Sequence, residues 1–410
     1  MFRCLLFLLL LTSAARAQDS PLLDSLLHSS PALAPVMDHP ATYQLQLIYT
    51  RIDRDANNVP HFTQHTYHLN PRQYFNPASL VKLPTALLAL EKLRTLPAGV
   101  TRRTIMSTGA AGRCQTPVPF AAPADSDRQA SVGNYIKRML LVSDNLAYNR
   151  LYEFVGQQTL NTRLQQLGYS RSRIVRRFAP CDTAANRFTN PIVFHTANGD
   201  TIYKQPAQVS PRTPAPPLGP VYAGKAYQVN RRIIHQPYNF TTANNLSLPD
   251  ITALLQTALF PESLPPTQRP QLASADYAFL RQYLHLTPHA SGFTAYKSPS
   301  YFDSYKKYLY YGRRPEALLQ PGLRIFNIVG MSHGYLADVA YFADSLHQSE
   351  FLLSAVLYVN RDGIINDAAY DYDTIGLPFL AQLGQLFYRY EAQRPRSYLP
   401  NLTLFFQPDK

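Results

Sequence analysis

The segment Asn76-Pro77-Ala78-Ser79-Leu80-Val81-Lys82 places a hydroxyl and an amine one helical turn apart. It lies where a turn leads into Leu80 to Leu96, a Leu- and Ala-rich stretch typical of a buried helix. A serine at a helix start lies in positive potential, beside backbone N–H groups that can bind an oxyanion. A lysine one turn later shares its face and, when partly desolvated, can lose its proton and activate the hydroxyl. Ser79 and Lys82 are therefore a candidate nucleophile and base.

The same Ser-x-x-Lys spacing recurs at Ser304-Tyr305-Lys306-Lys307. This second copy lies in a tyrosine-rich polar segment and has no apolar helix behind it. So short a pattern is expected to arise by chance in a chain of 410 residues. We therefore interpret the second copy as coincidental.

A second motif, Ser143-Asp144-Asn145, follows Ser79 by 64 residues. It lies between two predicted helices, Val132 to Leu141 and Asn145 to Val155. From such a loop the hydroxyl can relay a proton and the carboxamide can bind a substrate carbonyl. The alternative is a plain helix N-cap, because Ser, Asp and Asn are the preferred capping residues.

A third motif, Gly330-Met331-Ser332-His333-Gly334-Tyr335, lies between two predicted strands. Glycine at a strand edge lets the backbone of a substrate approach closely. The alternative is a hairpin turn without a direct role in binding.

In this order the three motifs resemble those of the serine β-lactamases and penicillin-binding proteins. The class A β-lactamases are the most similar, because the flanking Asn-Pro-Ala-Ser and the helical segment Ser143 to Asn149 also fit. The resemblance covers roughly residues 40–190 and 320–390. The region between them, about 190–320, has no counterpart that the motifs identify.

The resemblance implies a serine hydrolase that acts through an acyl-Ser79 intermediate on a β-lactam or related amide. Lys82 and Ser143 would transfer protons, and Asn145 would bind the substrate amide. Four residues of the late motif would also bind substrate: Ser332, His333, Gly334 and Tyr335. The oxyanion hole would consist of the N–H groups of Ser79 and Tyr335. No cofactor is implied, and the substrate would be a small molecule or derive from peptidoglycan.

Two departures from the family pattern affect substrate binding and turnover. The late triplet is Ser332-His333-Gly334 instead of Lys-Thr-Gly or Lys-Ser-Gly, so the cation for a substrate carboxylate is missing unless His333 or a remote arginine supplies it. The family's Arg-x-Glu-Pro reads Arg177-Phe178-Ala179-Pro180, so Ala179 replaces the deacylating glutamate unless Asp182 substitutes for it. An acyl-enzyme would then form and persist.

Two alternatives remain open. A D-alanyl-D-alanine peptidase or an esterase of the same fold does not need the missing glutamate. A non-catalytic module that binds cell-wall peptide would explain both departures, but it leaves Ser79, Lys82 and Ser143 without a purpose.

The first seventeen residues predict export. Arg3 supplies a positive charge, Cys4 to Leu11 an apolar run, and Ala15-Arg16-Ala17 a cleavage site. We therefore expect a signal peptide at residues 1–17 and a periplasmic or secreted protein. Cleavage leaves Cys114 and Cys181, which we expect to form a disulfide in an oxidising compartment.

Composition excludes several classes of function. The formal net charge is +13, but no basic helix or RNA-binding motif suggests nucleic acid. No apolar run approaches the about 20 residues that span a bilayer, and no Cys or His spacing suggests a metal site. The sequence does not determine the oligomeric state.

The elements that must position these motifs suggest one α+β domain over residues 18–410. Strands are predicted at Thr42 to Arg54 and Thr63 to Leu69, then at Leu323 to Val329, Tyr335 to Phe342 and Phe351 to Asn360. Strands at both ends imply one antiparallel sheet, from about 40–75 and 320–362, flanked by helices. A helical subdomain is expected at about 80–190 and an insertion-like region at about 190–320.

Overall fold

The computed structural model describes residues 19–111, 116–121 and 129–407. The predicted signal peptide at 1–17 and the predicted disulfide cysteine Cys114 lie outside these ranges. Within them the α-helices are α1 (Pro21–His28), α2 (Ala34–Met37), α3 (Lys82–Leu93), α4 (Val132–Val142), α5 (Asn145–Val155), α6 (Gln157–Gln166), α7 (Leu248–Leu259), α8 (Ser274–His285), α9 (Tyr308–Tyr311) and α10 (Leu377–Gln393). None of these described helices has both the length and the apolar sequence that crossing a bilayer requires.

The strands are β1 (Gln46–Arg54), β2 (Pro60–Tyr67), β3 (Ile105–Thr108), β4 (Ile192–His195), β5 (Thr201–Gln205), β6 (Tyr222–Ala223), β7 (Ala226–Val229), β8 (Arg232–Ile234), β9 (Tyr238–Asn239), β10 (Leu323–Ser332), β11 (Tyr335–Asp344), β12 (Ser349–Tyr358) and β13 (Ile364–Ile365). Five of them form the main sheet, in the order β10-β11-β12-β1-β2. All neighbours in this sheet are antiparallel. The N-terminal hairpin and the C-terminal meander therefore share one sheet, which confirms the predicted α+β class.

The main sheet separates two hydrophobic cores. Because successive side chains of a strand point to opposite faces, Ile48 and Ile52 of β1 pack with α3, α4, α5 and α7. Leu47 and Tyr49 of the same strand pack with α1 and α10 on the other face. With both faces covered, β11 and β12 are buried along their whole length.

The region 190–320 contains two kinds of structure. Its first part holds β4 to β9, which contribute to three small sheets apart from the main one. Its second part holds α7 and α8, and these pack against the main sheet. The helices are thus part of the central core, and the short strands form the part that resembles an insertion.

Candidate active site

Ser79 lies in a 3₁₀ turn, Ala78–Val81, that leads directly into α3. Ala78, immediately before it, has a left-handed backbone with φ of 44°. The Asn76 carboxamide holds this conformation by accepting a hydrogen bond from the Ala78 N–H at 2.9 Å. Ser79 is partly exposed between two buried neighbours. The backbone is therefore strained at Ala78, and Ser79 beside it is accessible. Strained backbone of this kind is often found at functional sites.

Lys82 is fully buried, and its amine contacts Ser79 and both residues expected from the second motif. Its Nζ lies 2.7 Å from Ser79 Oγ, 2.9 Å from Ser143 Oγ, 2.6 Å from the Ser143 carbonyl oxygen and 2.7 Å from Asn145 Oδ1. Burial, followed by the positive charge of Lys306, lowers the pKa of Lys82 to about 7. A large fraction of the amine is thus neutral at neutral pH, with a lone pair that can accept the Ser79 proton.

The junction between α4 and α5 turns Ser143 and Asn145 towards Lys82. Ser143 has a left-handed backbone with φ of 60° and ends α4. Asp144 caps α5 by accepting the Ala147 N–H at 2.9 Å, and it also pairs with Arg138. The sequence did not determine which of Ser143, Asp144 and Asn145 caps the helix, and in the structure the N-cap of α5 is Asp144. Ser143 and Asn145 are free to contact the amine.

The edge strand β10 passes directly behind the Ser79 turn. A Cβ on Gly330 would lie 2.5 Å from the Pro77 carbonyl oxygen, so this position requires glycine. The motif's other glycine, Gly334, belongs instead to a two-residue hairpin turn with His333, where both residues have positive φ. The strand residues nearest Ser79 are therefore those around Gly330.

This geometry corrects the predicted oxyanion hole. In a two-residue hairpin the N–H of the residue after the turn points to the carbonyl of the residue before it. Tyr335 pairs with Ser332 in this way, so its N–H is engaged within the hairpin. Hydrogen-bonded pairs alternate along an antiparallel ladder, and the N–H of Met331 consequently points outward from the edge strand. Met331 had not been assigned a role from the sequence, although it follows Gly330 directly.

By the same argument the late triplet would end at Gly330 instead of Gly334. His333 Nδ1 is 3.2 Å from Asn76 Nδ2 and 2.6 Å from Ser332 Oγ, and the Gly334 N–H donates to the Tyr372 hydroxyl. Burial lowers the pKa of His333, so its ring is neutral at neutral pH and supplies no cation. The lysine of the family's triplet lies two residues before its glycine. If Gly330 is that glycine, the residue at the lysine position is Ile328, which is buried and apolar.

The loop that carries Ala179 is held over the site by a buried ion pair. Arg177 Nε lies 3.0 Å from Glu153 Oε1, and both side chains are almost completely buried. The next residue, Phe178, has its ring centroid 5.1 Å from Lys82 Nζ. Among the described residues, no carboxylate is hydrogen-bonded to Ser79 or Lys82. The alternative base, Asp182, is exposed and accepts a hydrogen bond from the Ala185 N–H.

The second Ser-x-x-Lys copy does not form a serine–lysine pair. Ser304 Oγ donates to the Arg314 carbonyl, and Lys307 Nζ donates to Leu284, Ile325 and Asn327. Lys306, the first of the two lysines in this copy, nevertheless acts on Lys82 through its charge and helps to lower the pKa of the Lys82 amine. No local sequence signal identified Lys306, because its position depends on how residues 300–310 pack against the sheet.

Cys181 is disulfide-bonded. Its predicted partner, Cys114, lies outside the described residues, so the pairing of these two cysteines stays a prediction.

Residues 56–257 match the family model described as the β-lactamase enzyme family. No curated protein matches the chain. Among solved structures, a β-lactamase from Xanthomonas campestris pv. campestris is 15% identical with a TM-score of 0.49, over 89% of this chain and 98% of that chain. A β-lactamase from Sphaerobacter thermophilus is 13% identical with a TM-score of 0.48, over 91% and 99%. A class A β-lactamase from Mycobacterium abscessus is 12% identical with a TM-score of 0.46, over 88% and 98%.

The family match covers slightly less than half of the 410 residues, but it includes most of the site. The Ser79 turn, the α4–α5 junction and the Ala179 loop all lie within it, and it continues past residue 190 into α7. The first part of the region 190–320, for which the sequence motifs identified no counterpart in the family, is therefore also matched by the family model. The match, together with the serine and lysine that the fold brings into contact, identifies the chain as a β-lactamase-like serine hydrolase.

Proposed function

We propose that the protein cleaves the amide of a β-lactam or related compound through an acyl-Ser79 intermediate and releases the acyl group slowly. The observation that carries this proposal is the position of the Lys82 amine, within hydrogen-bond distance of Ser79, Ser143 and Asn145. A buried amine of lowered pKa beside a partly exposed serine is the arrangement that activates a hydroxyl.

In the acylation step neutral Lys82 accepts the Ser79 proton while Oγ attacks the substrate carbonyl carbon. The N–H groups of Ser79 and Met331 donate to the oxyanion that develops. When the C–N bond breaks, Ser143 gives its hydroxyl proton to the leaving nitrogen and takes one from Lys82. Asn145 binds the amide of the substrate side chain. Ser79 then carries the acyl group, and Lys82 is neutral again.

Slow release follows from the Ala179 loop. Hydrolysis of the acyl-enzyme needs a base that activates water, and a methyl group cannot act as one. The same feature favours a second candidate, a D-alanyl-D-alanine peptidase or esterase whose acyl-enzyme is resolved without this glutamate.

We also propose that the protein acts in the periplasm or outside the cell. The disulfide at Cys181 supports this location, because disulfides persist in oxidising compartments.

Intact-protein mass spectrometry with benzylpenicillin tests the proposal. We expect a persistent adduct in the natural protein and none in Ser79→Ala. Ser304→Ala is the matched control, since it removes the serine of the second Ser-x-x-Lys copy, and it should keep the adduct.

Other outcomes separate the alternatives. Loss of the drug without an adduct, but dependent on Ser79, would keep the nucleophile and refute slow deacylation. If neither an adduct nor loss of drug is observed, p-nitrophenyl acetate distinguishes the candidates that remain. Ser79-dependent hydrolysis of this ester would indicate an esterase, whereas no reaction would indicate a non-catalytic binding module.

A further inference from the structure

The Lys306 amino group is buried and has no hydrogen-bond partner among the described residues, and burial lowers its pKa to about 7. Only 5% of the residue is exposed. The adjacent Lys307 is equally buried but donates to three oxygen atoms. A buried cation without a partner is strongly destabilising, and proteins normally pair it with an anion. Unlike Lys307, Lys306 does not stabilise the fold through hydrogen bonds of its amine, which indicates a functional role.

Lys306 is anchored beside the edge strand that borders the site. Its carbonyl oxygen accepts a hydrogen bond of 2.6 Å from the Asn327 carboxamide. Asn327 belongs to β10 and lies three residues before Gly330, the residue that packs behind the Ser79 turn. The Lys306 charge also acts on Lys82, whose pKa it helps to lower. Lys306 therefore lies near both the edge strand and the Lys82 amine.

The nearest carboxylate does not neutralise Lys306. Asp338 of β11 interacts with its charge, but the Asp338 oxygens accept hydrogen bonds from Asn327 and from the N–H groups of Tyr308 and Leu309. Burial raises the pKa of Asp338 to about 7, which weakens it further as a counter-ion at neutral pH. The pKa of Lys306 is itself lowered to about 7, so an anion that enters the site would favour its protonated form and pair with it.

We propose that Lys306 binds the carboxylate of the substrate and so makes the enzyme selective for anionic amides. The inference rests on the proposed acylation of Ser79, and it goes further by naming the substrate feature that is recognised and the residue that recognises it. The edge strand has no cation for this purpose, because Ile328 occupies the matching position. The four rotatable bonds of lysine let the ammonium move from its buried position to meet the anion.

The test compares two probes, benzylpenicillin and its methyl ester, which differ in this charge and in one methyl group. Second-order rate constants for Ser79 acylation are measured by mass spectrometry at one pH. The natural protein should prefer the acid by about tenfold or more, the value of a charge-assisted hydrogen bond. In Lys306→Met the two rate constants should agree within about twofold. Since Lys82 acts on both probes alike, a change in its pKa does not alter the ratio.

Control variants separate a local effect from a general one. Lys204→Met removes one positive charge from an exposed position and should keep the full preference for the acid. Lys306→Gln provides a second, polar replacement and should lose the preference as Lys306→Met does. Replacement of an unpaired buried cation by methionine should also raise the urea midpoint of unfolding, which shows that the variant is folded.

The outcomes for the inference and for the proposed function are distinguishable. An equal preference for the acid in the natural protein and in Lys306→Met would overturn the inference while leaving acylation of Ser79 intact. Absence of any Ser79 adduct with both probes and with p-nitrophenyl acetate would overturn the proposed function, and the inference with it.

Discussion

At the scale of single residues, the proposed chemistry depends on Lys82. Its Nζ lies within hydrogen-bond distance of four oxygen atoms, one more than an ammonium has protons. A neutral amine that accepts from Ser79 and donates to Ser143 and Asn145 is compatible with this geometry. The charged groups that face it are Lys306, which lowers its pKa, and Asp144, which raises it. Desolvation is the largest effect, because the side chain is wholly buried.

The lowered pKa predicts how acylation depends on pH. Lys82 is protonated and inactive below its pKa of about 7 and neutral above it. The rate constant for acylation should therefore fall about tenfold per pH unit below the midpoint and reach a plateau above it. Mass spectrometry of the Ser79 adduct formed with the uncharged benzylpenicillin methyl ester between pH 5 and 9 measures this, because Lys306, whose pKa is also about 7, does not act on that probe. A flat profile across the range would contradict the assignment of Lys82 as the base.

Ala179 gives a second prediction at this scale. In Ala179→Glu, a carboxylate is added next to Phe178, whose ring lies against Lys82. Loss of the acyl group should become about 100-fold faster, as expected of a general base. Ala179→Gln has the same size without the basic group and should release the adduct as slowly as the natural protein. Equal acceleration by Glu and Gln would exclude base catalysis as the reason.

At the scale of secondary structure, the site depends on the contact between the Ser79 turn and β10. The outward N–H of Met331 can complete an oxyanion hole only if the strand lies close to the turn. Gly330 permits that approach, because its missing Cβ leaves room for the Pro77 carbonyl. The hairpin itself, with His333 and Gly334, ends the strand beyond this point.

Substitution of this glycine should separate the two elements. In Gly330→Ala the added methyl group meets backbone atoms that cannot rotate away, so the strand and the turn must move apart. A displacement of this kind should slow acylation by about 100-fold. Leu323→Ala, at the far end of the same strand, is the control and should leave the rate constant within about threefold of the natural value. An unchanged rate in Gly330→Ala would show that β10 does not contribute to the oxyanion hole.

At the scale of the whole molecule, the main sheet connects the site to the hydrophobic core on its other face. Packing in that core therefore helps to stabilise the strands beside the site. Helix α10 packs on the face that is turned away from Ser79, in the core that also contains α1. Because β10 and β11 are shared by both cores, loss of packing on the remote face lowers the stability of the strands that border the site.

This arrangement predicts a change in stability without a change in chemistry. Leu383 of α10 is fully buried. Leu383→Ala should lower the free energy of unfolding by about 2–5 kcal/mol, the usual cost of a cavity of this size. Urea titration followed by circular dichroism measures this effect. The acylation rate constant in the absence of urea should remain unchanged, and a large decrease would mean that α10 affects the geometry of the site directly.

Much of the fold was predictable because its signals are local. The alternation in β1 and the helical periodicity around α4 and α5 depend only on neighbouring residues, and the structure has these elements within a few residues of the predicted bounds. That β1 and β12 belong to the same sheet followed from the presence of strands at both ends of one domain, whereas their direct pairing is seen only in the structure. The packing of α7 on the sheet was not predicted, because a short amphipathic helix does not reveal which surface covers it.

The sequence by itself identified the candidate nucleophile, its lysine and the motif at Ser143, since these are carried by residue types at fixed spacings within one or two elements. Only the tertiary structure decided which glycine of the late motif faces Ser79, which N–H points outward and which lysine lies beside Lys82. Strand register and the packing of a distant loop determine these three facts. Both depend on contacts between residues far apart in the chain, and such contacts leave no periodic pattern in the local sequence.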